Sequence, residues 1–327
     1  MWDFDIGRTL TILARTWPFI VVRLLVYFGI TVAYVVATGA GAGVGFGVGH
    51  VFGGAEGPAT VAFWGGAVGF ALVSVVLYWL REYILYVVKA GHIAVMVRLI
   101  DGQAVPDGKG QVAYAREIVT DRFAEANALF VLDQLVKGAI RVVTGLIGGI
   151  AAFLPIPGLQ GLARFVNTVI RLSLTYVDEI ILGYNIRIDS RNPFESARHG
   201  VVLYAQNATT MIKNALWLAV FMWLLTFVIF LVMLAPAAAI LYAMPGQLAG
   251  WSFVLAIVFA LALKAALIEP FAIAALMAVY FRTIEGQVPN PEWDQRLAGA
   301  SRHFRDLVDK ARGAFGGAPA ADAAGQA

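Results

Sequence analysis

Lys264 and Glu269 are two ionisable side chains inside one long apolar run, Trp251 to Tyr280, and Pro270 follows them at once. Charges in hydrocarbon are costly unless they are paired or wet, and a proline removes the N–H that would bond the carbonyl four residues back. The spot therefore concentrates groups that can bind or pass a polar solute, or tie one helix to another. Five residues turn a regular helix by about 140° beyond a full turn, so the two side chains do not meet on one side. Partners on other helices are expected.

A second constellation lies on a helix expected from Leu159 to Leu182. Arg164, Asn167, Arg171, Thr175 and Asp178 are offset by 0, 3, 7, 11 and 14 residues, which puts all five within roughly 40° of one line along a helix. Leu162, Phe165, Val166, Val169 and Ile170 occupy the other side. Such a stripe either lies wet on a membrane surface or faces a polar cavity inside the bundle. The preceding stretch, Ala139 to Leu154, is short for a span, carries Gly145, Gly148 and Gly149, and ends in Pro155. That suits a re-entrant or half-buried hairpin whose irregular backbone lines a cavity. The residues expected to line a transport route are Lys264, Glu269, Arg171, Asp178, Asn167 and Arg164.

Other chemistries find little support. The chain has no cysteine, which removes disulfides, thiolate metal sites and thiol nucleophiles. Its four histidines, His50, His92, His199 and His303, lack the spacing that binds a metal from one helix. No G-x-S-x-G elbow is present, so the chain reads as a non-enzyme with no cofactor. The glycine-rich stretch Gly39 to Pro58 ends in no Walker lysine; flexible loops and close packing of small residues between helices explain it.

The elements that position these groups are membrane helices. A chain 60% hydrophobic and 14% charged, with mean hydropathy +0.77, lies far from soluble composition. Ala215 to Met233 is nineteen residues without a charge. Pro18 to Thr38 makes a first span, with Arg23 placed to snorkel to the interface. Thr60 to Leu80 makes a second, after which the helix extends past the hydrocarbon or turns along the interface, with Lys89, His92 and Arg98 toward headgroups. Trp251 to Tyr280 is the last. The fold expected is an all-α polytopic membrane protein with four transmembrane helices, six if the two segments of 139–182 both cross, and a central layer of amphipathic or re-entrant helices.

The chain divides on this reading into an N-terminal two-span unit (1–100), a cytoplasmic or interface helical region (101–192), a C-terminal two-span unit (193–286), an amphipathic helix (287–315) and a disordered tail (316–327). Asn192 with Pro193, and Asn290 with Pro291, are expected helix caps. The helix from Asn192 is expected to run into the span near Ala215, and the one from Asn290 to bind an interface or pack under the bundle. The connections Gly39 to Ala59 and Pro236 to Gly250 hold no lysine or arginine. Both termini are then cytoplasmic, in a bacterial-type plasma (inner) membrane. Expected partners are membrane lipids and a second copy or another membrane protein. Dispersed basic residues and a net charge of +3 argue against nucleic acid.

Around YVDEIILGYN and NPFESARHGVVLYAQN the chain resembles the later half of the choline transporter-like membrane family. The matching positions are Tyr176, Phe194, Ser196, Ala197 and Asn207. The resemblance covers about residues 176–233 and implies uptake of choline or a related amine.

Two functions emerge from these residues. The first is a channel or carrier for a small polar or charged solute. The alternative is a non-catalytic scaffold or assembly partner whose charges fix helix packing.

Overall fold

The computed structural model describes residues 2–52, 57–105, 110–122, 131–142, 176–189, 192–242, 257 and 259–313. Among them every regular element is a helix: α1 (Ile6–Arg15), α2 (Trp17–Phe52), α3 (Gly57–Ile100), α4 (Gln111–Arg122), α5 (131–142), α6 (Val177–Arg187), α7 (Pro193–Gln206), α8 (Ala208–Tyr242), a π-helical turn (Lys264–Ile268), α9 (Glu269–Thr283), α10 (Pro291–Ala300) and α11 (Arg302–Gly313). Four segments are long and apolar enough to cross a membrane: Trp17–Phe52, Gly57–Tyr78, Ala208–Pro236 and Phe259–Thr283. The chain forms two compact units. One comprises Met1–Thr16, Ala90–Leu224 and Pro270–Ala327, the other Trp17–Lys89 and Leu225–Glu269.

The second unit is built on an α2/α3 hairpin. The glycine-rich stretch, expected as a connecting loop, is instead helical through Phe52, and α3 begins at Gly57. Where no water can bond the backbone, the helix satisfies every N–H and C=O internally, and that outweighs the propensity penalty of about 1 kcal/mol per glycine measured in water. The glycines also have a packing role. A Cβ on Gly41 would collide with the Gly65 carbonyl, one on Gly45 with the Val61 carbonyl, and one on Gly69 with the Ala37 carbonyl. The pairing steps four residues up one helix as it steps four down the other, the signature of small-residue packing in membranes. Tyr34 and Phe70 meet along the same hairpin with ring centroids 5.1 Å apart and planes tilted by 37°. Outward faces are apolar and open: Val44, Phe63 and Trp64 are all exposed, as lipid-facing side chains must be.

Arg23 departs from expectation. It does not snorkel; it is 1% exposed on α2, the helix that packs against the π turn. α3 resolves the choice left open by its sequence, since it continues unbroken for 44 residues. That is about 66 Å at 1.5 Å per residue, twice the hydrocarbon thickness.

The first unit is a helical body with an ordinary buried core. His92, expected at headgroups, is fully buried and its Nε2 meets Thr16 Oγ1 at 2.9 Å. The last apolar run turns into core here: Ala272 through Met277 are at most 1% exposed, and Tyr280 donates from its hydroxyl to the Gly200 carbonyl at 2.9 Å. Gly183 leaves the space that Met277 and Ile93 fill. α7 packs against α6, α10 and α11.

The caps form as expected. Asn192 accepts from the N–H groups of Phe194 and Glu195, and Asn290 from that of Glu292. Two expected continuous helices are broken. Asn207 separates α7 from α8, its Nδ2 donating to the Leu203 carbonyl at 2.9 Å and to Gln287 Oε1 at 2.7 Å. Ser301 separates α10 from α11, its extended backbone and hydroxyl capping Phe304 N–H at 3.2 Å. In both cases a short polar side chain bonds backbone that would otherwise continue a helix. α8 also continues past Pro236 to Tyr242, into the stretch expected as a connection.

Candidate functional site

Lys264 opens the π turn and Glu269 closes it, and both are half-buried. The Glu269 N–H bonds the Lys264 carbonyl, an i to i+5 ring one residue wider than in an α-helix. In a regular helix the two residues would stand about 1.4 turns apart; the wider ring brings them close to one turn, nearly in line. Pro270 supplies the cause. It lacks the N–H that the Ala266 carbonyl would accept from, so the ladder is interrupted where the widened turn occurs. The sequence shows both charges and the proline but not the local widening that aligns them. Lys264 forms no ion pair among the described residues.

Asp178 sits in a different setting from the one expected. α6 begins at Val177, after Tyr176 leaves helical geometry, so Asp178 and Glu179 occupy the first turn of a helix and not the end of a stripe running unbroken to Leu182. Arg164, Asn167 and Arg171, with Gly145, Gly148, Gly149 and Pro155, lie outside the described residues. Asp178 is joined instead by groups from α5. Lys137 Nζ stands 2.7 Å from Asp133 Oδ2 and 3.3 Å from Asp178 Oδ2. Asp133 and Glu179 are both 7% exposed. The sequence gives no signal that Asp133 and Lys137 meet Asp178, because the contact is made by tertiary packing. α5 is held by a second close approach, Gly138 leaving room for the His303 ring of α11.

Two carboxylates, Asp133 and Asp178, pair with one ammonium in this cluster, and Glu179 adjoins Asp178. Burial pushes the Asp178 carboxyl well above the usual carboxylate range, the neighbouring Glu179 adds to the shift, and Lys137 only partly opposes it. Burial also works against the charge on Lys137, but Asp178 and Asp133 more than offset it and hold the ammonium above its ordinary range. The arrangement favours the protonated form of Asp178 and the charged form of Lys137.

The residues of the family resemblance serve local structure. Ser196 donates to the Asn192 carbonyl at 2.9 Å, Ala197 is fully buried, and Asn207 makes the joint between α7 and α8. No group of histidine and carboxylate side chains among the described residues is arranged to hold a metal ion. No family model, curated protein or solved structure matches the chain.

Proposed function

We propose that this multi-span helical membrane protein is a channel or carrier for a small polar or charged solute, with Lys264 and Glu269 as its contact groups and both termini on the cytoplasmic side of a bacterial-type plasma membrane. The observation that carries the reading is the π-helical turn that opens at Lys264 and ends at Glu269 within a span. Such turns recur at functional sites in helices, and ionisable residues in spans mark solute pathways. Lys264 offers three donors, enough to replace part of a solute's hydration.

The alternative, a scaffold that engages a partner through its C-terminal amphipathic helix, is weakened by one observation. Phe304 and Leu307 of α11 are fully buried against this chain's own body, chiefly on α7, so that apolar face is already covered.

The test is flux of protons, K+ and Cl− in liposomes holding purified protein, read with a trapped pH dye and a membrane-potential dye. Glu269→Gln and Lys264→Gln are expected to lower the flux at least about tenfold, the loss of one charge-assisted contact at about 1.4 kcal/mol or more, with the thermal midpoint in detergent retained. Flux unchanged by both substitutions would remove the assignment.

A further inference from the structure

The first unit contains a cavity of about 290 Å3 bounded by α1, the ends of α3 and α9, and the N-terminal segment before α1. Its charged lining sorts into two classes. Arg187 is paired with Asp101 at 2.8 Å and Asp3 with Lys213 at 2.7 Å, so these are spoken for. Arg8, Arg282, Asp5 and Glu285 are exposed and form no ion pair among the described residues. Two guanidiniums and two carboxylates thus remain to face whatever enters.

Both guanidiniums are held in place with donors left over. Arg8 Nη2 donates to the Ile100 carbonyl at 2.6 Å, and Arg282 Nη2 donates to the Asp3 carbonyl. A guanidinium has five N–H donors in a fork that matches phosphate oxygens. Asp5 uses one oxygen on the Arg8 N–H as the cap of α1, leaving the other.

The cavity also lies where this unit passes from polar to apolar surface. Asp3, which lines it, is bonded to Lys213 and Asn214, and the nineteen uncharged residues begin at Ala215. Trp2 and Trp217 meet edge to face at 5.7 Å and are 40% and 43% exposed. Leu10 of α1 is exposed as well. Tryptophan next to lysine and arginine at the end of an apolar run is the composition of a headgroup boundary.

We propose that this cavity binds the headgroup of a zwitterionic phospholipid, the phosphate held by Arg8 and Arg282 and the amine by Asp5 and Glu285. The balance of two positive and two negative groups is what selects it. A headgroup with negative charge alone would set its charge against two carboxylates, and a simple cation would meet two guanidiniums. The inference stands apart from the solute reading, since none of these four residues enters that proposal.

The experiment titrates delipidated full-length protein in detergent with dioleoylphosphatidylethanolamine and follows tryptophan fluorescence. Saturable binding is expected, about tenfold tighter than for dioleoylphosphatidylglycerol and absent for diolein, which lacks the phosphate. Arg8→Gln with Arg282→Gln should weaken it about tenfold or more, and the paired lysine replacements should recover part of the loss. Glu285→Gln, at an exposed position, should shrink the preference for the ethanolamine lipid to about twofold or less. The proposal is overturned by diolein binding equally well, by phosphatidylglycerol binding at least as tightly, or by affinity indifferent to both the arginine and Glu285 replacements. Free phosphoethanolamine matching the lipid would also overturn it, as the mark of a soluble-ligand site.

Discussion

Arg198 and Asp294 form a two-pronged ion pair, Nε to Oδ1 at 2.7 Å and Nη2 to Oδ2 at 2.7 Å. The pair ties α7, the helix around which the first unit is assembled, to the short helix α10. Both side chains are about one quarter exposed or less, 26% and 21%, so solvent screens the attraction only in part. Planar geometry with two parallel hydrogen bonds is what distinguishes this contact from ordinary surface pairs.

Asp294→Asn should therefore cost about 1–2 kcal/mol of stability, and Arg198→Lys nearly as much, because a lysine cannot reproduce the fork. The thermal midpoint of purified protein in mild detergent measures both. A double variant that loses no more than either single variant would show that the two act as one unit; strict additivity would show that they do not.

The α2/α3 hairpin offers a comparison between glycines of one helix. Gly45 faces backbone of α3, whereas a Cβ on Gly43 would meet nothing within 4 Å. Gly45→Ala should destabilise the protein by about 1–3 kcal/mol as the helices are forced apart. Gly43→Ala should be neutral or slightly stabilising. Unfolding in mixed micelles with increasing dodecyl sulfate reads the difference; equal effects at the two positions would contradict the packing described.

The cluster of Asp133, Lys137, Asp178 and Glu179 makes stability depend on pH in a definite direction. Asp178 has its folded value raised, first by burial and then by Glu179. A raised carboxyl contributes stability that is complete below the unfolded value of about 3.9 and is lost as pH rises through the folded value. His303 of α11 abuts α5 at Gly138, so His303→Gln serves as the control for a change in packing at that contact. Asp178→Asn should flatten the loss of stability as pH rises above about 3.9 while the His303→Gln control retains it. Melting curves collected across the pH range would show the same slope in wild type and Asp178→Asn if the assignment were wrong.

What the sequence makes legible follows from the range of the forces involved. The four apolar runs are legible because lipid demands length and hydrophobicity within one segment, and the Asn192 and Asn290 caps because their chemistry spans three residues. The breaks at Asn207 and Ser301 are harder to see, since the same residue types also sit quietly inside helices. The glycines from Gly39 to Gly49 mislead for a different reason: propensities measured in water undervalue a helix in an apolar medium. Asp133 and Lys137 meeting Asp178 is a matter of tertiary packing, which no local pattern encodes. The neighbouring charges Lys264 and Glu269 are legible as charges, but their alignment depends on a widened turn that a regular 3.6-residue period does not anticipate.

That widened turn gives the last prediction. Pro270→Ala restores an N–H for the Ala266 carbonyl and removes the ring that blocks a regular ladder, so the segment from Lys264 to Ile268 can return to α-helical geometry. Stability should hold or rise, because an exception to helix geometry has been removed at a position already inside a helix. Alignment of Lys264 with Glu269 should be lost in the same step, since the regular helix separates them by about 140°. Liposome flux should accordingly fall several-fold in Pro270→Ala even though both charges are still present, and this separates geometry from charge. Flux that survived Pro270→Ala but not Glu269→Gln would mean that the carboxylate matters and the turn does not.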